Sequence, residues 1–551
     1  MANFAQKDLE NGLILNRYSF YENFNSLKEE NRLALVLYKD KASDITFGVL
    51  ESVPSGYEEA FIDISNSSRK NERPGEPLSQ SVVSKIISQM EKTGTELDSE
   101  KLLSLYADSL GENNLNEQAH MLFFVVAPIS LVMRMQEEKF GFASQERSTR
   151  YVDFISYFVP ESISAISKTA YSKAVTVEAE ARKLVMQYFV DDISSKLSAE
   201  MKKRLEEKEI ETLVVPSARD ISRSFVSFSN YTVAFFSVNE AIFKRMLQKL
   251  SVVNTEPAKI LRKEMKEYHE TFHPLLSKHQ DGSDLQKLNE ENYREPFRKI
   301  YNKKIDAFSV FSFSSAKVKI SDLSSTEDQI LGSIEQEFKV NALAEISKIS
   351  KMRKNRHDLL FDTILNRGEI IVEVNRVSAA TARDLCRHRS MYDTRFEVSD
   401  GFDRQEKSNQ SYIEPYFVLD DRLLSSRIKQ IAINAIKEAV NSYNIVVDEG
   451  YADSAVNLLP ISIGGKLFMR GSLASFIYMI ENRTTKEAHP EYRNISMQIL
   501  EGLKHIYPTI FREFEVKTEK AASYLSRSFE RSSSSFNLLN LERGVAKHNQ
   551  N

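Results

Sequence analysis

The sequence predicts a chain of mixed helix and strand in which one unit occurs twice. Three observations carry this. A strand-like apolar run, Met121 to Ala127, gives way after Pro128 to helical spacing over Ile129 to Lys139. The same strand-then-helix order returns roughly 250 residues further on, in Glu369 to Val374 and a helix that Ser378 can cap and that extends to about Arg389. Long helix-forming runs follow each unit, Ser162–Leu205 and Ser425–Tyr443, and the strongly polar stretch Lys278–Arg298 stands between the halves as a linker. The repeat is one of pattern, with poor identity.

Taken in order, Leu33 to Tyr38 suits a short strand or helix, Ser65 to Ser79 a polar loop with two prolines, and Gln80 to Lys92 a helix. Gly141 is placed to end the first sharp helix, and Ser237 to Leu250 reads as an amphipathic helix. In the second half, helices are expected over Gly471–Asn482 and Glu491–Leu503. The serine-rich tail from Ser523 has the composition of a disordered segment. The expected domains are residues 1–280, a linker 281–300, residues 301–522 and a tail 523–551.

Bulk composition narrows the function. A chain of 551 residues favours two or more domains, and 41% hydrophobic with 28% charged residues suits a packed core. With 74 basic and 78 acidic side chains, net charge −4, there is no global positive field for nucleic acid or anionic membrane. The lone cysteine, Cys386, excludes a disulfide framework and a cysteine-rich zinc site and fits a reducing, cytoplasmic setting. The first twenty residues lack the apolar core of a signal peptide, and Met121–Met133 is too short to span a bilayer. No two histidines have metal-ligand spacing, and the 17 glycines form no phosphate-binding loop.

Three motifs are candidates for chemistry. In Gln145-Glu146-Arg147-Ser148-Thr149-Arg150-Tyr151, an extended backbone puts Glu146, Ser148 and Arg150 on one side, a carboxylate, a hydroxyl and a guanidinium suited to a nucleotide. The alternative is a helical i,i+4 ion pair between Glu146 and Arg150. Arg387-His388-Arg389 can grip a polyanion or the polar edge of an aromatic cofactor, or can simply complement a helix C-terminus. Glu481-Asn482-Arg483 precedes Ala488-His489-Pro490-Glu491-Tyr492-Arg493, where Pro490 opens a helix. An arginine in a first turn is disfavoured by the dipole, so Arg493 needs an anionic ligand or a pairing, with Glu491 for instance. Cys386 reads as a packed apolar residue rather than a nucleophile, and His120 as structural.

Together these motifs resemble the flavin-dependent thymidylate synthases. That family carries Arg-His-Arg, then Ser-x-Arg-Tyr, with an earlier Gly-His-x-Ser-x-x-Glu stretch and a late arginine in an Ala-Gln-x-Glu-Ile-Arg-like segment. Here the pieces are divided. The first half has Ser148-Thr149-Arg150-Tyr151 but Glu138-Lys139-Phe140 where Arg-His-Arg belongs. The second has Arg387-His388-Arg389 and Ala488–Arg493, but Phe396-Glu397-Val398-Ser399 in place of Ser-x-Arg-Tyr. The Gly111–Glu117 stretch keeps only Gly111 and Glu117 of the flavin-site pattern, and Ser222-Arg223-Ser224-Phe225 resembles the Ala-Arg segment without its Leu-Pro. The resemblance spans roughly Leu102 to Leu503 in segments and is that of a tandem branch.

The resemblance implies an α+β fold, twice over: a mixed, largely antiparallel sheet with long helices. It implies transfer of a one-carbon unit from methylene-tetrahydrofolate to dUMP, giving dTMP, with FAD reduced by NADPH. Ser148, Arg150 and Glu146 would bind the nucleotide. Arg493 would polarise the pyrimidine as the catalytic residue. Glu117, Arg387, His388, Arg389 and Arg483 would hold the flavin, with no metal. A homodimer would give a pseudo-tetramer. The rival expectations are a non-catalytic nucleotide-binding or scaffold protein descended from that fold, and a different pyrimidine-modifying enzyme on the same scaffold.

Overall fold

The computed structural model describes residues 45–52, 120–137, 142–146, 154, 156–196, 207–272, 280–322, 325–354, 358, 363–401, 412–485 and 488–519. The expectations for Leu33–Tyr38, Ser65–Ser79, Gln80–Lys92, Gly141 and the tail from Ser523 lie outside these residues. The chain divides into two compact units. One gathers the described residues within Met1–Arg147, Ser156–Phe158 and Tyr231–Tyr293; the other gathers those within Ser148–Ile155, Val159–Asn230 and Arg294–Asn551. Helix and sheet are mixed in both, as α+β predicts.

The first unit is built on an antiparallel four-stranded sheet, β1 (Thr46–Ser52), β2 (His120–Pro128), β3 (Phe142–Glu146) and β4 (Tyr231–Asn239), ordered β1-β2-β4-β3. The β2 run is apolar without alternation because from Phe123 onward it is buried on both faces. Phe123 stacks on Phe236 at 5.2 Å and meets Phe243 edge-on at 5.5 Å. Phe243 comes from the helix Glu240–Val252. The expected helix start at Ser237 was three residues early. β4 continues through Asn239, whose side chain accepts from the Ile242 N–H and so sets the helix start. Pro128 likewise ends β2, and the helix Ile129–Met135 begins at once. The polar linker stretch holds a short helix, Asp284–Asn289, with a Ser283/Gln286 capping box, followed by a turn whose Glu290 pairs with Arg134 at 2.9 Å.

The second unit carries its own antiparallel four-stranded sheet. Its strands are β5 (Lys317–Asp322), β6 (Ile370–Ser378), β7 (Asp393–Val398) and β8 (Gly464–Gly471), ordered β5-β6-β8-β7. That is the strand order of the first sheet. On β6, Ile370, Val372 and Val374 point into the core and alternate with half-exposed residues, as the sequence pattern predicted. The helix Ala379–Cys386 follows β6 directly, capped by Ser378 as expected, and ends three residues short of Arg389.

The long helices of this unit pack on one another. Ala165–Lys196 lies along Lys429–Asp448 and against Glu207–Ser222. Backbone bonds seam Val226–Ser229 to Asn457–Ile461: Phe228 N to Leu459 O at 3.1 Å, Ser229 N to Asn457 O at 2.8 Å and Ile461 N to Val226 O at 2.8 Å. The two chain segments of the seam turn alike, with Asn230 N donating to Ser227 O and Ile463 N to Pro460 O. Tyr171 Oη donates to Ser454 O at 2.5 Å across the same region.

A bulge between Gly465 and Lys466 interrupts the β6–β8 ladder. A Cβ on Gly465 would stand 2.1 Å from Glu397 O and 2.8 Å from the Phe396 ring. Gly465→Ala is therefore expected to lower unfolding stability by about 2 kcal/mol or more. Gly332, inside the helix Glu327–Phe338, has nothing within 4 Å of its would-be Cβ. Gly332→Ala should raise stability by about 0.5–1 kcal/mol. Urea denaturation of both variants checks the pair, and a stable Gly465→Ala protein would contradict the close approach of Glu397 and Phe396 to Gly465.

Candidate functional site

The best-defined site lies in the second unit, around the short helix Ala379–Cys386. Every one of its eight residues is buried, Arg383 and Asp384 included. At its N-terminal end sits Glu491, from the first turn of the helix Pro490–Ile506. The carboxylate accepts from Ser378 N at 2.7 Å, Ser378 Oγ at 2.6 Å and Thr381 Oγ1 at 2.7 Å. Burial pushes its pKa up, against these hydrogen bonds and the charge of Arg223, which favour the carboxylate. Glu491 therefore ties two helices together, and it does not pair with Arg493.

At the other end, Asp384 gathers arginines from three parts of the chain. Arg223, on the 3-10 turn after Glu207–Ser222, reaches its Oδ2 at 3.2 Å with both groups buried. Arg387 lies 3.6 Å from its Oδ1. Arg483, the last residue of the helix Leu473–Arg483, donates to the Asp384 carbonyl at 2.8 Å. The Nε–H of Arg483 also donates to His388 Nε2 at 2.8 Å. An arginine is always a donor, so Nε2 is the acceptor and the proton of a neutral His388 sits on Nδ1. The Arg483 guanidinium lies over the Tyr492 ring, 5.1 Å from its centroid. Arg389 is half-buried, and burial together with the charge of Arg387 lowers its pKa.

The structure brings Arg387, His388, Arg389 and Arg483 into one corner. It adds Asp384, Arg223 and Tyr492. The Arg223 segment had been noticed for its family-like pattern, but Asp384 had not. A signal was available, an acid inside the otherwise basic and apolar run Arg383–Arg389. Cys386 is a buried thiol, as expected of a packed residue.

Arg493 has a different setting from the pyrimidine contact expected of it. Its Nη1 donates to Thr484 O at 2.7 Å and Thr485 O at 2.8 Å, and its Nη2 to Glu519 O. Burial lowers its pKa and the Glu519 charge opposes this. These carbonyls explain an arginine in a first helical turn.

In the first unit, Glu146 ends β3, so the helical ion-pair alternative fails for it. Its buried carboxylate accepts from Thr232 Oγ1 at 3.1 Å. Glu117, Ser148 and Arg150 lie outside the described residues. His120 is structural, with Nδ1 2.9 Å from Val238 O and Nε2 3.0 Å from Ser237 Oγ. Among the described residues no group of three or more His, Cys, Asp or Glu is placed to hold a metal, and no helix is long and apolar enough to cross a membrane.

The fold and the corner define an α+β domain with several guanidiniums converging beside an antiparallel sheet. Residues 301–509 match the family model described as thymidylate synthase complementing protein, the flavin-dependent thymidylate synthases, so the resemblance read from the motifs is borne out over that span. Among solved structures, the chain is similar to a UMP/dUMP methylase, PolB, from Streptomyces cacaoi bound with 5-Br dUMP. That similarity has 16% identity and a TM-score of 0.30, over 43% of this chain and 94% of that one. The same methylase bound with 5-Br UMP gives 15% identity and a TM-score of 0.28, over 43% and 93%. No curated protein matches in sequence.

Glu491 gives a pH-dependent test. Its folded pKa is raised above the ordinary carboxylate value, so folding favours the protonated form. The stability it contributes is present at acid pH and is lost as pH rises through the raised pKa. Glu491→Gln should remove that loss. Chemical unfolding of both proteins from pH 4.5 to 8 should show the parent falling relative to the variant as pH rises; parallel profiles would mean Glu491 titrates normally.

Proposed function

We propose that the chain is a flavin-dependent thymidylate synthase-like enzyme, methylating dUMP to dTMP with methylene-tetrahydrofolate and NADPH. The observation that carries this is the guanidinium corner inside the span matched by the family model. Arg387 and Arg389 lie close enough that the charge of one lowers the pKa of the other, and an anion between them relieves that repulsion. A dinucleotide such as FAD fits this donor set, with phosphates for the guanidiniums and a ring edge for His388 Nδ1–H. When bound, the flavin would supply the one-carbon and hydride chemistry. The protein's part is placement. Arg387, His388, Arg389, Arg483 and Glu117 would hold the flavin; Glu146, Ser148 and Arg150 would hold dUMP; Arg493 would face the pyrimidine.

In this reading the two halves are tandem copies of one fold, residues 1–280 and 301–522, with 281–300 between. The shared strand order, β1-β2-β4-β3 and β5-β6-β8-β7, supports it. So does the matching sequence of a short helix after the second strand and two helices after the last. The assembly is a cytoplasmic homodimer equivalent to a tetramer of single domains. One observation favours a second reading, a nucleotide-binding protein without catalysis. Gly111–Glu117 keeps only two residues of the flavin-site pattern.

The visible spectrum of the purified full chain separates the two. Flavin absorbance supports the enzyme; a colourless protein that binds dUMP supports the second reading; neither property would end both. Arg150→Ala should weaken dUMP binding by about 2 kcal/mol, and Arg147→Ala by much less, because only Arg150 shares a side with Ser148 in an extended segment. Titration calorimetry of the two variants decides it, and equal small effects would remove the segment from the site.

A further inference from the structure

The segment Phe514–Glu519 follows the last helix among the described residues, Pro508–Glu513, and crosses the end of the helix that carries Arg483. Its attachments form a sequence of their own. Phe514 is buried, with the Arg353 guanidinium 5.2 Å from its ring centroid. Glu515 N donates to Ser350 Oγ at 2.9 Å. Lys517 N donates to Glu481 Oε1 at 2.9 Å, and Lys517 Nζ to Arg353 O at 2.6 Å. Glu519 N donates to Thr484 O at 3.1 Å, and Glu519 O accepts from Arg493.

The inner anchor differs from the outer one. Glu481 is buried and receives Arg353 as a fork, at 3.0 and 2.6 Å, a geometry that holds strongly. At the outer end Arg493 is more exposed and is bound by three backbone carbonyls, those of Thr484, Thr485 and Glu519. The Glu519 charge, carried by the strap itself, also acts on Arg493, so a guanidinium released from the strap gains by moving to an anion, whereas Arg353, forked to Glu481, does not.

We infer that Phe514–Glu519 is a strap that latches Arg493, and that release of its outer end gives the Arg493 guanidinium to an anionic nucleotide. The strap is anchored on Glu481 and Thr484, either side of Arg483, so its outer end can free Arg493 while the inner end keeps Arg483 on His388. The inference rests on the nucleotide reading above for its ligand, and on the hydrogen bonds alone for the latch. A latched Arg493 lowers apparent affinity by the fraction of molecules that are latched.

The test uses full-length Glu519→Pro, which removes the N–H donated to Thr484 O, and Lys517→Pro, which removes the N–H donated to Glu481, as a second variant should the first fold poorly. Without any ligand, phenylglyoxal followed by peptide mass spectrometry reads guanidinium access. Arg493 should react about fivefold faster or more in the variants, with Arg353 unchanged in Glu519→Pro, since an opened latch exposes the group in proportion to its population. An unchanged Arg493 rate overturns the latch. Calorimetry with dUMP should then show affinity tighter by about three- to tenfold. If the parent binds dUMP and the variants bind it no better, the coupling is overturned while the nucleotide reading stands. If parent and variants all fail to bind dUMP, the nucleotide reading and the coupling both fall, and the modification rates alone decide the latch.

Discussion

The helix Ala379–Cys386 is a buried element with a carboxylate at each end, and the site exists because both carboxylates are satisfied. Glu491 takes three donors at the N-terminal end, where the helix dipole also favours negative charge. Asp384, near the C-terminal end, carries its charge where the dipole opposes it. Arg223 and Arg387 supply what the dipole does not. Without these partners a charged group in such a place would be desolvated at a cost of several kcal/mol. The arginines are thus fixed in position by a structural requirement of the helix, and the corner they form is preorganised before any ligand arrives.

That arrangement also settles the state of His388. Arg483 bridges the Asp384 carbonyl and His388 Nε2, so one guanidinium fixes both the end of the helix and the imidazole tautomer. Tyr492 lies under the same guanidinium, one residue from Glu491. The helix Pro490–Ile506 therefore contacts both ends of Ala379–Cys386, through Glu491 at one and through Tyr492 and Arg483 at the other. A shift of that helix would disturb both anchors together.

Much of this was legible in local pattern. The strand-helix units at β2 and β6, the Ser378 cap and the helix opened by Pro490 all follow from spacing and capping chemistry over a few residues. Where the reading slipped, a distant contact or a neighbouring cap decided. Ser237 and Val238 fit a helical stripe equally well, but pairing with β2 and β3 keeps them in β4 until Asn239 caps. Asp384 escaped notice because a helix buried on every side has no amphipathic pattern against which a buried acid stands out. The partner that explains it, Arg223, is 161 residues away in sequence.

Arg493 is the sharpest case, because a local rule correctly flagged it and could not supply the reason. An arginine in a first turn opposes the dipole. The compensation comes from carbonyls nine and eight residues earlier and 26 residues later. Carbonyl oxygens carry partial charge only, and the full charge acting on Arg493 beside them is that of Glu519, on the strap itself. Glu481 and Arg353, by contrast, neutralise each other as a buried fork. The strap's inner anchor thus rests on a buried, already paired carboxylate, and its outer anchor on a more exposed guanidinium. Within Phe514–Glu519, opening at Glu519 frees Arg493 while the Lys517 contact to Glu481 can hold, so the helix end that holds Arg483 stays closed behind it.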